Sequence, residues 1–177
     1  PHVWVPSGVW ALPFGTGRSR HATGVLGALV NDWTLTGIVT LQSGMPVAIS
    51  QTTNNNAFAG FGTQRPNLVG DPTLPASQRS AARWFNTSAF EAAPAFTIGS
   101  SSRNPIRGPG YRNLDLAVIR RVPLAGTRAL EVRGEVFNAT NTPMWFAPNT
   151  TVGSAAFGTI TSAGDPRVVQ LAVKFLF

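Results

Sequence analysis

The run Leu-Glu-Val-Arg-Gly-Glu-Val at residues 130–136 decides how the rest of the chain is read. Leu130, Val132, Gly134 and Val136 alternate with Glu131, Arg133 and Glu135, the period of two by which a strand points successive side chains to opposite faces. Three charges on one face do not enter an apolar core unpaired. This strand therefore has one wet face and one face that meets something apolar.

The same period extends outward in both directions. At 168–177, Val169, Leu171, Val173, Phe175 and Phe177 alternate with Val168, Gln170, Ala172, Lys174 and Leu176. At 113–121, Leu114, Leu116 and Val118 oppose Asn113, Asp115, Ala117, Ile119 and Arg121, and the Pro-Leu-Ala-Gly-Thr at 123–127 reads as a turn. At 33–42, Trp33, Leu35, Gly37, Val39 and Leu41 oppose Thr34, Thr36, Thr40 and Gln42, with Ile38 the one intruder on the polar side. A first strand at 3–12 is apolar on both faces, and Pro6 and Gly8 weaken it.

Five strands leave connections at 13–31, 44–110, 123–127 and 139–166. Gly, Pro, Thr and Asn interrupt almost every window long enough for three helical turns, so the long connections, with polar runs such as 51–56 and 149–154, read as loops. The second and fourth connections are the long ones, and in an up-and-down meander these two emerge on the same side. The expected fold is all-β: an antiparallel up-and-down meander of about five strands, part of a larger transmembrane β-barrel with long polar loops on one side, over the whole of 1–177. In such a barrel the apolar faces meet lipid and the charged faces meet the lumen. If Phe177 lies at the periplasmic end, both long loops are extracellular and the turn at 123–127 is periplasmic; the connection at 13–31 is long for a periplasmic turn.

Composition narrows the function. The chain has no cysteine, which removes disulfide scaffolds, thiolate metal sites and thiol catalysis. Its net charge of +7 invites a nucleic-acid reading, but the basic residues are scattered, the densest groups being Arg18 with Arg20 and Arg120 with Arg121, and no basic helix or run exists. No nucleic-acid partner is expected. The longest apolar stretches, such as 25–30, fall far short of the roughly 18 residues of a spanning helix.

In order and spacing the residues resemble a known family: the C-terminal barrel segment of TonB-dependent outer-membrane receptors, in the Oar-like branch. The segments that carry this are Gly-Val-Trp-Ala-Leu-Pro-Phe-Gly at 8–15, the strand from Trp33 ending in Leu-Gln-Ser-Gly-Met-Pro at 41–46, and Arg-Pro-Asn-Leu-Val-Gly-Asp-Pro at 65–72. Trp-Phe-Asn-Thr-Ser-Ala-Phe at 84–90 and Arg-Asn-Pro-Ile-Arg-Gly-Pro-Gly at 103–110 follow. Arg133, Glu135, Phe137, Asn138, Asn141, Phe157-Gly158 and Asp165-Pro166-Arg167 then lead into the closing strand. The resemblance implies a bacterial outer-membrane protein that is not an enzyme and takes up or binds a ligand at the surface. It also implies that Val169, Leu171, Val173, Phe175 and Phe177 form the signal read by the barrel-assembly machinery. Plug, TonB-contacting segment and leading domain are not among these residues, so TonB would act only through segments absent here. The implied partners are outer-membrane lipid and the rest of the protein's own plug and barrel of about 22 strands, of which this is the last quarter.

Candidate site residues follow from the same faces. Glu131 and Glu135 are the one carboxylate pair, but four residues of strand place their Cα atoms about 13 Å apart, beyond the roughly 5–9.5 Å of glycosidase pairs. With Arg133 between them, a charge ladder facing the lumen is the better reading, joined by Asp115, for which a register opposite Arg133 is expected. His2 and His21 have no acid or second histidine at ligand spacing, so no metal or cofactor is expected. Ser7 and Ser43 lack the frame of a nucleophile elbow. Trp4, Trp10, Trp33 and Trp145 suit an interfacial aromatic belt, while Trp84 with Phe85 inside the long loop either packs that loop or stacks on a sugar. The alternative reading is a soluble β-sandwich module binding a ligand such as carbohydrate, because alternation by itself does not distinguish a lipid-facing apolar face from a core-facing one.

Overall fold

Where β-branched and aromatic residues alternate with polar ones, the chain forms long strands; where Pro, Gly and Asn accumulate, it forms turns and two-residue ladders. A computed structural model describes residues 1–53, 60 and 63–177, so residues 54–56 of the polar run at 51–56 lie outside the described residues. In chain order the elements are β1 (Val3–Trp4), β2 (Ser7–Ala11), the helix α1 (Gly24–Val30), β3 (Trp33–Gln42), β4 (Pro46–Val47), β5 (Ser50–Gln51), β6 (Asn67–Leu68), β7 (Phe90–Glu91), β8 (Ile106–Arg107), β9 (Tyr111–Pro123), β10 (Ala129–Phe137), β11 (Thr151–Val152) and β12 (Val168–Leu176).

Six of these strands make one sheet in meander order, β1, β3, β9, β10, β12, with β2 also on β3. The first expected strand is split at Val5 and Pro6, because Pro6 has no N–H to donate. Its carbonyl still accepts from Val39 N at 2.9 Å, which holds the two halves in line. The turn after β9 falls one residue later than expected, since Pro123 still pairs with Ala129. Leu124 N donates to the Arg128 carbonyl at 2.8 Å, and Gly126 takes the positive φ that the turn requires. At the other end of β10, Asn138 and Asn141 adopt positive φ. The Asn138 amide accepts from Thr142 N at 3.0 Å and donates to Thr142 O at 3.1 Å, turning the chain out of the sheet.

Register sorts the side chains as the alternation requires. Between β10 and β12, Leu130 faces Phe175, Val132 faces Val173, Gly134 faces Leu171 and Val136 faces Val169. The other face pairs Glu131 with Lys174, Arg133 with Ala172 and Glu135 with Gln170. Gly37 and Gly134 fall on the apolar face. A Cβ at Gly37 would lie 3.3 Å from Leu116 Cδ2, and one at Gly134 3.4 Å from Val118 Cγ2, so neighbouring side chains fold over both positions.

By internal contacts the chain divides into two compact units. The sheet unit comprises Val3–Leu41, Arg112–Pro143 and Asp165–Phe177; the connection unit comprises Pro1–His2, Gln42–Tyr111 and Met144–Gly164. They differ in where apolar surface goes. In the sheet unit Ala129 is the one buried hydrophobic residue among those described, and Leu171 is 83% exposed. A dry two-sheet core around Val132, Val136, Leu171 and Phe175 is not what this sheet builds. In the connection unit Ile49, Phe85, Ala89, Phe90 and Ile106 form a buried cluster, with Phe85 edge-on to both Phe90 and Phe157. The long connections, read from composition as polar loops, thus contain a core of their own.

The helix α1 is the second departure from expectation. Seven residues are too few to show a helical period in the sequence, yet α1 forms inside the connection 13–31, anchored where Asn31 donates to Ala22 O at 2.9 Å and accepts from Ala22 N at 3.3 Å.

Candidate functional site

The charged face of the sheet gathers three of the four residues singled out there. Arg133 reaches back to Glu131 (Nη2 to Oε1, 3.7 Å) and forward to Glu135 (Nη1 to Oε1, 3.4 Å), while Lys174 and Arg121 stand opposite Glu131 on either side. These side chains are partly exposed, so the pairs contribute little stability. They do keep the strand face compensated. Asp115 shares this face but not the expected register: Ile119 lies opposite Arg133, and Ala117 opposite Glu135. The tight turn at 124–128 fixes that pairing, and the Asp115 carboxylate instead accepts from Asn138 N at 2.9 Å, closing the end of β10.

On β12, Val169, Leu171, Val173 and Phe175 share the apolar face, and each is more than half exposed. Phe177 follows the last strand residue, is 95% exposed and stacks on Phe175 with ring centroids 6.3 Å apart. Among the described residues β12 pairs with β10 alone, leaving its other edge open.

A cleft of about 320 Å³ lies within the connection unit, lined by Arg79, Trp84, Asn104 and Arg107 among others. The Trp84 indole donates to the Arg107 carbonyl at 2.8 Å and meets Trp145 edge-on at 5.8 Å. The Arg79 guanidinium lies over the Trp84 ring at 5.6 Å, held by an Nε bond to Leu74 O at 2.8 Å. Arg107 donates Nη1 to Gly44 O at 3.1 Å. Trp84 therefore packs the loop rather than presenting a bare platform. Trp145 joins this cluster, and its backbone forms a bridge with Ala163 in the same unit.

No acidic side chain lines the cleft among the described residues, so its two guanidiniums give it a positive character. At one wall, Thr73 donates both its hydroxyl and its N–H (2.8 Å) to Asp71 Oδ1. The hydroxyl bond first and the N–H second hold the Asp71 carboxyl below the usual aspartate range. Sequence reasoning missed Arg79, Asn104 and Arg107 as a group, since only folding brings the stretch 72–85 against 104–107. His2 meets Ser43 through its main chain, its N–H donating to Ser43 Oγ at 2.7 Å, which closes a loop and does not pair a base with a nucleophile.

A meander whose apolar side chains point into the surroundings while its charges pair on the opposite face is the wall of a transmembrane β-barrel. The chain belongs to the outer membrane beta barrel domain family, whose model matches residues 1–170, and this places it in the bacterial outer membrane. Neither a curated protein nor a solved structure matches it.

Proposed function

We propose that this chain is the C-terminal barrel portion of a TonB-dependent receptor of the Oar-like branch, a non-enzymatic module for uptake or surface binding of a ligand. The observation that carries this reading is the packed core inside the long connections, which gives them a defined surface and a cleft with two arginines. Loops that served only to join strands would need neither. In this reading Asp115, Glu131, Arg133 and Glu135 line the lumen, the apolar residues of β12 together with Phe177 are handed to the barrel-assembly machinery, and lipid covers the apolar face. The open edges of the sheet pair with the remaining strands of the same barrel, and energy reaches the ligand through a plug and TonB contact outside these residues.

The test is fractionation of the native polypeptide, detected with an antibody to residues 65–90, followed by capture on the periplasmic domain of TonB. A detergent-extracted outer-membrane band several times heavier than the 18.7 kDa of this chain, retained by TonB, is the expected result. A heavy band that TonB does not retain leaves a barrel without energy coupling and overturns the receptor reading.

A further inference from the structure

The helix α1 exposes an apolar face within the sheet unit. Val25, Leu26 and Leu29 are 79%, 63% and 63% exposed, and at about 100° per residue they form one stripe roughly 100° wide. Its orientation is fixed by close packing on the far side. Gly27 is buried there, and a Cβ on it would come within 2.1 Å of the Ala22 carbonyl oxygen. The C-terminal turn of α1 is tied to the apolar face of the sheet by the Trp33 indole, which donates to Leu29 O at 2.8 Å. The Arg120 guanidinium lies over that same indole at 5.8 Å, and Trp10, beside Leu35 in the register, is 59% exposed.

Charge at this end of the sheet is strongly one-sided. Arg18 and Arg20 lie in the connection before α1, Arg120 and Arg121 near the end of β9, and Arg128 at the start of β10. Arg18 and Arg121 line a cleft with Asp32, Thr34 and Ile119 on the charged face of the sheet, whereas Arg120, opposite Val132, lies on the apolar face with Trp33. Among the described residues none of these arginines forms an ion pair, and the Asp32 carboxylate accepts from Thr16 N at 3.0 Å. An apolar stripe beside the unpaired Arg120 guanidinium, continuous with a lipid-facing sheet, fits the boundary between acyl chains and anionic headgroups.

We propose that α1 is an interfacial helix that seats this end of the barrel on anionic phospholipid of the periplasmic leaflet. Val25, Leu26 and Leu29 enter the acyl boundary, and Arg120, over the Trp33 indole, meets phosphate. The leaflet follows from the short turn at 124–128 sharing this end with α1, since barrels of this kind keep short turns on the periplasmic side. The inference rests on the outer-membrane family and not on the receptor reading.

The test uses the full-length protein with Leu26→Cys carrying a nitrobenzoxadiazole label, reconstituted in phosphatidylcholine vesicles containing phosphatidylglycerol, either lipid being supplied in brominated form. A blue-shifted emission, quenched more by brominated phosphatidylglycerol than by brominated phosphatidylcholine, is expected. Arg120→Gln should lower that preference about fivefold without removing the blue shift. Emission characteristic of water in every vesicle, equal quenching by the two lipids, or a blue shift that requires added lipopolysaccharide would each overturn the proposal. Heat-modifiable mobility reports the barrel separately, and Val25→Cys repeats the measurement if the first variant loses it.

Discussion

The side chain of Gln51 pairs with the backbone of Ala93 as a neighbouring strand would: Oε1 accepts from Ala93 N at 2.8 Å and Nε2 donates to Ala93 O at 3.3 Å. Gln51 Nε2 also donates to Thr53 O at 2.9 Å, so this buried amide is well satisfied. It joins two stretches of a long connection that share no sheet ladder.

Replacing Gln51 by Leu keeps the volume and strands both Ala93 groups, a loss of about 1–3 kcal/mol. Amide exchange at Ala93 should accelerate by roughly ten- to a hundredfold, followed by hydrogen–deuterium exchange. Unchanged exchange would mean that the side chain does not hold these segments.

Phe85→Ala should act on the connection unit. Phe85 is 2% exposed and touches Phe90 and Phe157, so its truncation should cost about 3–5 kcal/mol. The connection unit should become protease-sensitive while the barrel keeps its heat-modifiable mobility. Loss of both together would show that the sheet depends on the connection core.

Leu171 and Gln170 are adjacent on β12 and point to opposite faces, opposite Gly134 and Glu135. Leu171→Arg places a cation on the lipid face and should lower stability in vesicles by about 2–4 kcal/mol if it lies near the midplane. Gln170→Arg, beside Glu135, should fold as the parent does. Equal tolerance of the two, read from folded yield in vesicles, would point to a sheet in water.

The Asp71 carboxyl titrates below the usual aspartate range because Thr73 binds its charged form. A depressed value stabilises the fold above the unfolded value, and that stabilisation is lost as pH falls through the lowered one. Thr73→Ala removes the hydroxyl bond and should move the titration of Asp71 back upward, as read by carboxyl carbon NMR. An unmoved midpoint would assign the shift to the backbone N–H alone.

What could be read from the residues was local. The pattern Leu130, Val132, Val136 against Glu131, Arg133, Glu135 fixed strand, face and neighbour type, because strand geometry imposes a period of two whatever the rest of the chain does. The meander and the turn after β9 followed from it, the turn to within a residue. The Asp115 position was not legible, since a register is set by the turn that closes it and Asp115 found a nearer donor in Asn138. Nor was α1, whose seven residues are held by Ala22 and Trp33 more than by their own propensity.

The sequence by itself determined that this protein is built largely of strands with an apolar face opposite a polar one, and left open whether that face meets lipid or a core. Only the tertiary structure decided where its buried core lies. Ile49, Phe85, Phe90 and Ile106 carry no shared period, because they come from separate connection segments that only the fold brings together. The same holds for Arg79 and Arg107, whose joint cleft depends on chain closure over many residues, a property that no window of sequence encodes.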